Sequence, residues 1–242
     1  MATPVDARSR RRWIAWAAGA CALGATSTRA ADPPLTHDAV TRLCTFGDSV
    51  LDCGRYNEHG LDPGRLLVRN DDALFPEFRG KDLRSRGPAH LEHRAVDGAV
   101  AADLLGQARG LRAAETSIAI ISIGGNDLLR GLAGDSGAGV LAFEATLERF
   151  LRALPVRPVV LGTVYDPTFG DDTRNFLGVP APIARANHRR VNEVIARLAA
   201  RHGRLADIHA HFLAGDPSWF TNTIEPSLIG ASEVRRVFLA AV

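Results

Sequence analysis

The sequence predicts an α/β domain of three layers, α/β/α, around a parallel sheet of about five strands. Short apolar runs of strand length alternate with amphipathic stretches of helix length, and glycine-containing turns follow directly on three of the runs. The composition, 46% hydrophobic and 23% charged over 242 residues, is that of an ordinary globular chain.

Taken in order, Leu43 to Phe46 reads as the first strand and Leu91 to Val96 as the second. Ile118 to Ile123 is a buried strand, followed by Pro158 to Thr163 and Leu205 to Ile208. Val140, Phe143, Leu147, Phe150, Leu151 and Leu154 recur at the three-and-four spacing of one helix face. Val191, Val194, Ile195 and Leu198 do the same, and Gly203 ends that helix. Ala231 to Val242 closes the chain as a helix. Arg55 to Gly87 has little periodicity and reads as a long loop, of the kind that shapes pockets or runs over a surface.

Residues 1–30 have the order of an export signal, and 31–242 form the domain. Arg8, Arg10, Arg11 and Arg12 precede an apolar stretch from Trp13 to Ala25, and Thr28-Arg29-Ala30 offers a cleavage site. The run from Ser9 to Ile14 resembles the twin-arginine pattern. About 13 apolar residues fall short of the roughly 20 that span a bilayer, so no stable membrane span is expected after cleavage. The expected location is the periplasm or the exterior. A formal net charge of +2, with much of the basic excess near the start, implies no nucleic-acid partner. Cys44 and Cys53 either pair in an oxidising compartment or remain two buried thiols.

In an open α/β sheet, ligands bind beyond the carboxyl ends of the strands, so the turns there are where chemistry is sought. Phe46-Gly47-Asp48-Ser49 follows the first strand, with Ser49 expected to open a helix and its N–H to face an oxyanion. Asp97-Gly98 follows the second strand and precedes a helix from about Val100. Gly124-Gly125-Asn126-Asp127 follows the third, where Asn126 presents an amide. Each motif is common by itself. Asp48 and Asp52 read as caps beside Ser49, and Tyr165-Asp166-Pro167 as a turn at the fourth strand end.

Together and in this order, the three turns resemble the SGNH/GDSL hydrolase family. The resemblance runs from about Leu43 to the C-terminus. It implies a flavodoxin-like fold and cofactor-free cleavage of carboxylic esters, of small-molecule, glycan or lipid type, through an acyl-enzyme. It makes Ser49 the nucleophile, with Gly98, Asn126 and the Ser49 amide as the oxyanion hole.

The family's last block has Asp, two residues, His and Pro; here it is Asn222-Thr223-Ile224-Glu225-Pro226. Glu225 therefore stands in the histidine's place. Three arrangements follow. His209 or His211, just past the last strand, supplies the base; Glu225 does so, if burial lifts its pKa; or the site has lost its base and the protein binds without turnover. His209 and His211 without a third ligand make a weak metal site. His59, His90, His93, His188 and His202 carry no special expectation.

Overall fold

A computed structural model of the chain describes residues 40–114 and 116–242. The proposed export signal lies outside the described residues. The main sheet has five parallel strands: β1 (Thr41–Gly47), β2 (Ala89–His93), β3 (Ser117–Ser122), β4 (Val159–Gly162) and β5 (Arg204–Ala206). Their spatial order is β2-β1-β3-β4-β5, the flavodoxin-like order. The three-layer α/β fold expected from the sequence is thus the fold observed.

Alternation along the strands splits the core in two. Cys44, Phe46, Ala119, Ile121, Val159 and Leu161 face one side; Leu43, Ile120, Val160 and Ala206 face the other. The first side is covered by α4 (Ala138–Ala153) and α5 (Ala181–His202), after the short α1 (Pro63–Val68), α2 (Leu104–Gln107) and α3 (Gly125–Leu129). The predicted helix faces are the buried ones: Val140, Phe143, Leu147, Phe150 and Leu151 on α4, and Val191, Val194, Ile195 and Leu198 on α5. The second side is covered by residues of α1, α6 (Ile208–Leu213) and α7 (Leu228–Leu239). Among the described residues, no helix is long and apolar enough to cross a membrane.

Several local expectations change. Arg55 to Gly87 is not one loop: it holds α1 and three 3-10 turns, with Asp62 and Asp82 capping two of these segments. Each of these segments is too short for a helical repeat to register. The segment is tied to α7 by Arg235, which is buried, donates to Asn70 at 2.8 Å and stacks over Phe78 at 3.4 Å. β2 ends at His93, although Arg94 and Val96 still donate to Thr45 and Gly47 of β1. The helix expected from Val100 is a 3-10 turn, Ala101–Asp103, running into the single-turn α2. α7 starts at Leu228, earlier than expected, because Ser227 caps it through the Gly230 N–H.

β5 stops at Ala206 because Asp207 caps α6, accepting from Ala210 N at 3.1 Å. His209 and His211 therefore sit on a helix instead of a strand extension. Cys44 and Cys53 are free thiols, buried in different hydrophobic clusters. Burial pushes the Cys44 thiol up to about 11.

Candidate active site

The chain order reverses across β1, so β2 and β3 flank it, and the crevice at their carboxyl ends is where a ligand site is expected. Ser49 lies directly beyond β1. Gly47 makes the turn possible. Its φ is +126°, and a Cβ there would sit 1.8 Å from the Ser122 carbonyl oxygen of β3. Gln107 clamps the same residue from both sides, accepting from Gly47 N and donating to Gly47 O, each at 2.8 Å.

Ser49 does not open a helix, as the sequence led one to expect. Leu51 N and Asp52 N both donate to the Asp48 carbonyl, closing one helical turn that stops at Cys53. The Asp48 carboxyl accepts from Val50 N at 3.1 Å, so this aspartate caps the turn. It is buried, and desolvation pushes its pKa up to about 8. Asp52 instead reaches outward, contacting His93 Nε2 at 3.2 Å and accepting from Asp97 N at 2.9 Å.

Gly98, with φ +78°, carries the turn after β2. Two residues of α3 and the one that follows it hold that loop: Asn126 donates to Ala99 O at 3.1 Å, Asp127 accepts from Ala101 N, and Arg130 donates to Gly98 O at 2.8 Å. One N–H of the Asn126 amide is used in this way, leaving its other for a ligand. Asn126 and Ser49 line the same cavity.

Glu225 arrives from a different part of the chain. β6 (Phe220–Thr221) and β7 (Glu225–Pro226) form a small antiparallel hairpin in which Thr221 pairs with Glu225. The Glu225 carboxylate lies near the Ser49 hydroxyl, which opposes the rise in its pKa. Glu225 Oε2 is buried without a hydrogen-bond partner among the described residues. Burial raises the Glu225 pKa; the Ser49 hydroxyl acts against this shift and nearby Asp97 adds to it.

Of the two histidines weighed from the sequence, His211 is occupied elsewhere, and His209 Nδ1 is buried without a hydrogen-bond partner among the described residues. His211 Nε2 pairs with Glu233 at 2.7 Å, and its ring stacks on Trp219. His209 lies edge-on to His188 with centroids 4.8 Å apart, and desolvation lowers the pKa of both rings. Their positions on α6, two residues apart, point them in different directions. Among the described residues, no cluster of three His, Cys, Asp or Glu side chains is arranged to hold a metal ion.

Beyond Ser49 the cavity is mainly apolar, with Leu128, Leu129, Val164, Phe176, Leu177 and Ala184 in its walls. Arg185 stands in the wall paired with Asp166 and Asp172. Sequence reasoning singled out Tyr165-Asp166-Pro167, which line this cavity, but missed His188, Gln107 and the link from His93 to Asp52. No local signal marks the Gln107 clamp, because its partner is 60 residues away.

Comparison with known proteins fits this geometry. The model of the GDSL-like Lipase/Acylhydrolase family matches residues 45–228. Among solved structures, an α/β hydrolase enzyme, LAE5, from the metagenome of Lake Arreo in Spain is 24% identical, with 83% of this chain and 94% of that one covered and a TM-score of 0.57. Axe2, an acetylxylan esterase from Geobacillus stearothermophilus, is 20% identical over 83% and 93%, with a TM-score of 0.59. An extracellular lipase from Streptomyces rimosus is 20% identical over 84% and 100%, with a TM-score of 0.52. At these identities the likeness is one of fold. No curated protein matches the sequence. The family match spans most of the chain and includes the turns that carry Ser49, Gly98 and Asn126: the chain belongs to the GDSL-like lipase/acylhydrolase family.

Proposed function

We propose that the protein is an exported serine esterase in which Ser49 attacks the ester carbonyl and Glu225 takes its proton. The observation that carries this reading is the Glu225 carboxylate, with one oxygen buried and unpartnered, near Ser49 in the position where the resemblance expects an imidazole. A carboxylate of ordinary pKa is a weak base for an alcohol; burial strengthens it by disfavouring the anion. The unpartnered Glu225 oxygen leaves an acceptor for the Ser49 proton, and catalytic hydrogen bonds of this kind tighten when substrate expels water.

In this mechanism the Ser49 proton passes to Glu225 as Oγ bonds to the carbonyl carbon. The oxyanion so formed is held by the Ser49 amide, the turn at Gly98 and the free N–H of Asn126. Collapse breaks the C–O bond, and the departing alkoxide takes the proton back from Glu225 as the alcohol leaves. Water then gives a proton to Glu225 and attacks the acyl carbon; the bond to Ser49 Oγ breaks, Oγ takes that proton from Glu225, and the carboxylic acid leaves. The apolar walls favour an ester with an apolar portion. The acetylxylan esterase and the lipase among the fold neighbours support glycan or lipid esters as classes to try. Export rests on the sequence of residues 1–30.

The test is burst kinetics with 4-nitrophenyl butyrate together with labelling by an organophosphate. Wild type should give a burst and a single adduct at Ser49, and Ser49→Ala should give neither. Absence of both from wild type would end the proposal. The rival reading, a binding protein that keeps the cleft but lacks an effective base, is favoured by the missing histidine. It predicts no burst, with ligand affinity unchanged in Ser49→Ala.

A further inference from the structure

The hairpin that brings Glu225 to Ser49 is held in an unfavourable backbone conformation. Its three-residue tip is Asn222, Thr223 and Ile224, and the first two have φ of +45° and +74°. Asparagine tolerates this region, but a β-branched threonine does not, and such a residue persists only where its surroundings hold it. The base of the hairpin is fastened: Ser227 N donates to Trp219 O at 2.9 Å and Ser227 Oγ to Ser218 O at 2.7 Å. At the tip, the Tyr165 hydroxyl donates to the Ile224 carbonyl at 2.6 Å, one peptide before Glu225. The Tyr165 ring cannot swing away, being stacked on Phe212 with centroids 5.0 Å apart and edge-on to Phe220.

We infer that Tyr165 is a positioning residue for the reaction: its hydroxyl holds the left-handed tip so that the Glu225 carboxylate stays directed at Ser49. This rests on the reading of Glu225 as the base. Tyr165 comes from the loop after β4, in the wall of the cavity, so the residue that aims the base also meets the substrate space. Without the hydroxyl, the tip is free to relax towards negative φ, and rotation of the Ile224-Glu225 peptide would carry the carboxylate off Ser49. Asp97, buried Asp48, Tyr56 and Cys53 are close enough to interact electrostatically with that carboxylate, so its protonation reports its position.

Tyr165→Phe tests this with 4-nitrophenyl butyrate. The expected result is a fall in kcat of about tenfold or more with KM within about twofold, and a displaced acid limb of the kcat–pH profile. A purely structural hydroxyl would lower Tm and leave both unchanged in the folded protein, which would overturn the inference. Thr223→Gly supplies the second arm, because glycine adopts the left-handed tip without strain. In that background, Tyr165→Phe should cost less than about threefold; an equal loss in both backgrounds would also overturn it, and this arm remains if the single variant does not fold. Loss of activity in Glu225→Gln but not in Tyr165→Phe breaks this inference alone. Failure of wild type to show Ser49-dependent hydrolysis breaks the reading beneath it.

Discussion

The turn that carries Ser49 is held by backbone contacts from Val96, just after β2, and Ser122 of β3 and by a two-bond clamp from Gln107, whereas the hairpin that carries Glu225 has two-residue strands and a strained tip. The first turn matches the family pattern and the second departs from it. A nucleophile fixed by close backbone contact leaves little room for variation. On the proposed reading, a base delivered by a short hairpin can change its chemistry, because only the position of one side chain needs to be kept.

The largest effect should come from the variable side of this contrast. Glu225→Gln keeps the shape but removes the basic site, and kcat should fall by about 10²- to 10⁴-fold. Glu225→His sharpens the contrast further. If the hairpin aims whatever it carries, activity should return, with the acid limb moving to about pH 6.5. The sign is fixed by the mechanism: the base must be unprotonated, so in wild type activity rises with pH through a Glu225 pKa raised from the usual 4.5. Acid limbs that coincide in the two proteins would show that residue 225 is not the base.

On the fixed side, Asn126→Ala should lower kcat by about 10²- to 10³-fold with little change in KM, as for loss of one oxyanion donor. An unchanged kcat would remove Asn126 from the site. Gln107→Ala strips both clamp bonds from Gly47 and leaves its N–H without that acceptor. Denaturant unfolding should show a loss of about 1–3 kcal/mol. Since Val96 and Ser122 still hold the turn, kcat should fall less than about tenfold; a larger fall would mean that the turn is less secure than its contacts indicate.

The last expected effect concerns Asp48 and bears on stability instead of turnover. Its folded pKa of about 8 lies above the ordinary 3.8, so the native state keeps a proton that the unfolded chain releases. The stability this provides is complete below about pH 4 and is lost as pH rises to about 8. Thermal unfolding across that window should show wild type drifting downward relative to Asp48→Asn, with a limit of about 1.4 kcal/mol per pH unit. Parallel curves would show that Asp48 ionises normally.

The sheet was legible because its information is local. Ile118 to Ile123 and Pro158 to Thr163 are apolar runs of strand length, and α4 and α5 show the helical repeat over several turns. The turns after β1, β2 and β3 were legible for the same reason, since glycine at a strand end has a local meaning. What could not be read depends on partners far along the chain. Gln107 acts on Gly47, Tyr165 on Ile224 and Arg235 on Asn70, at separations of 60, 59 and 165 residues. His209 and His211 were misplaced because one aspartate, Asp207, ends β5 and starts α6 two residues earlier than apolar content alone indicates. The frame around Glu225 was visible, but the strain in its tip was not, because nothing in Asn222-Thr223 demands a left-handed turn.

The 1.8 Å separation between a Cβ at residue 47 and the Ser122 carbonyl has a practical consequence for redesign. Main-chain contact sets the spacing between the first and third strand ends, so the apolar side chains further out are not part of that ruler. Libraries that vary Leu128, Phe176 and Leu177 should therefore retune which esters fit while the reactive centre keeps its dimensions. Any side chain at position 47 would force those strand ends apart before a substrate arrived.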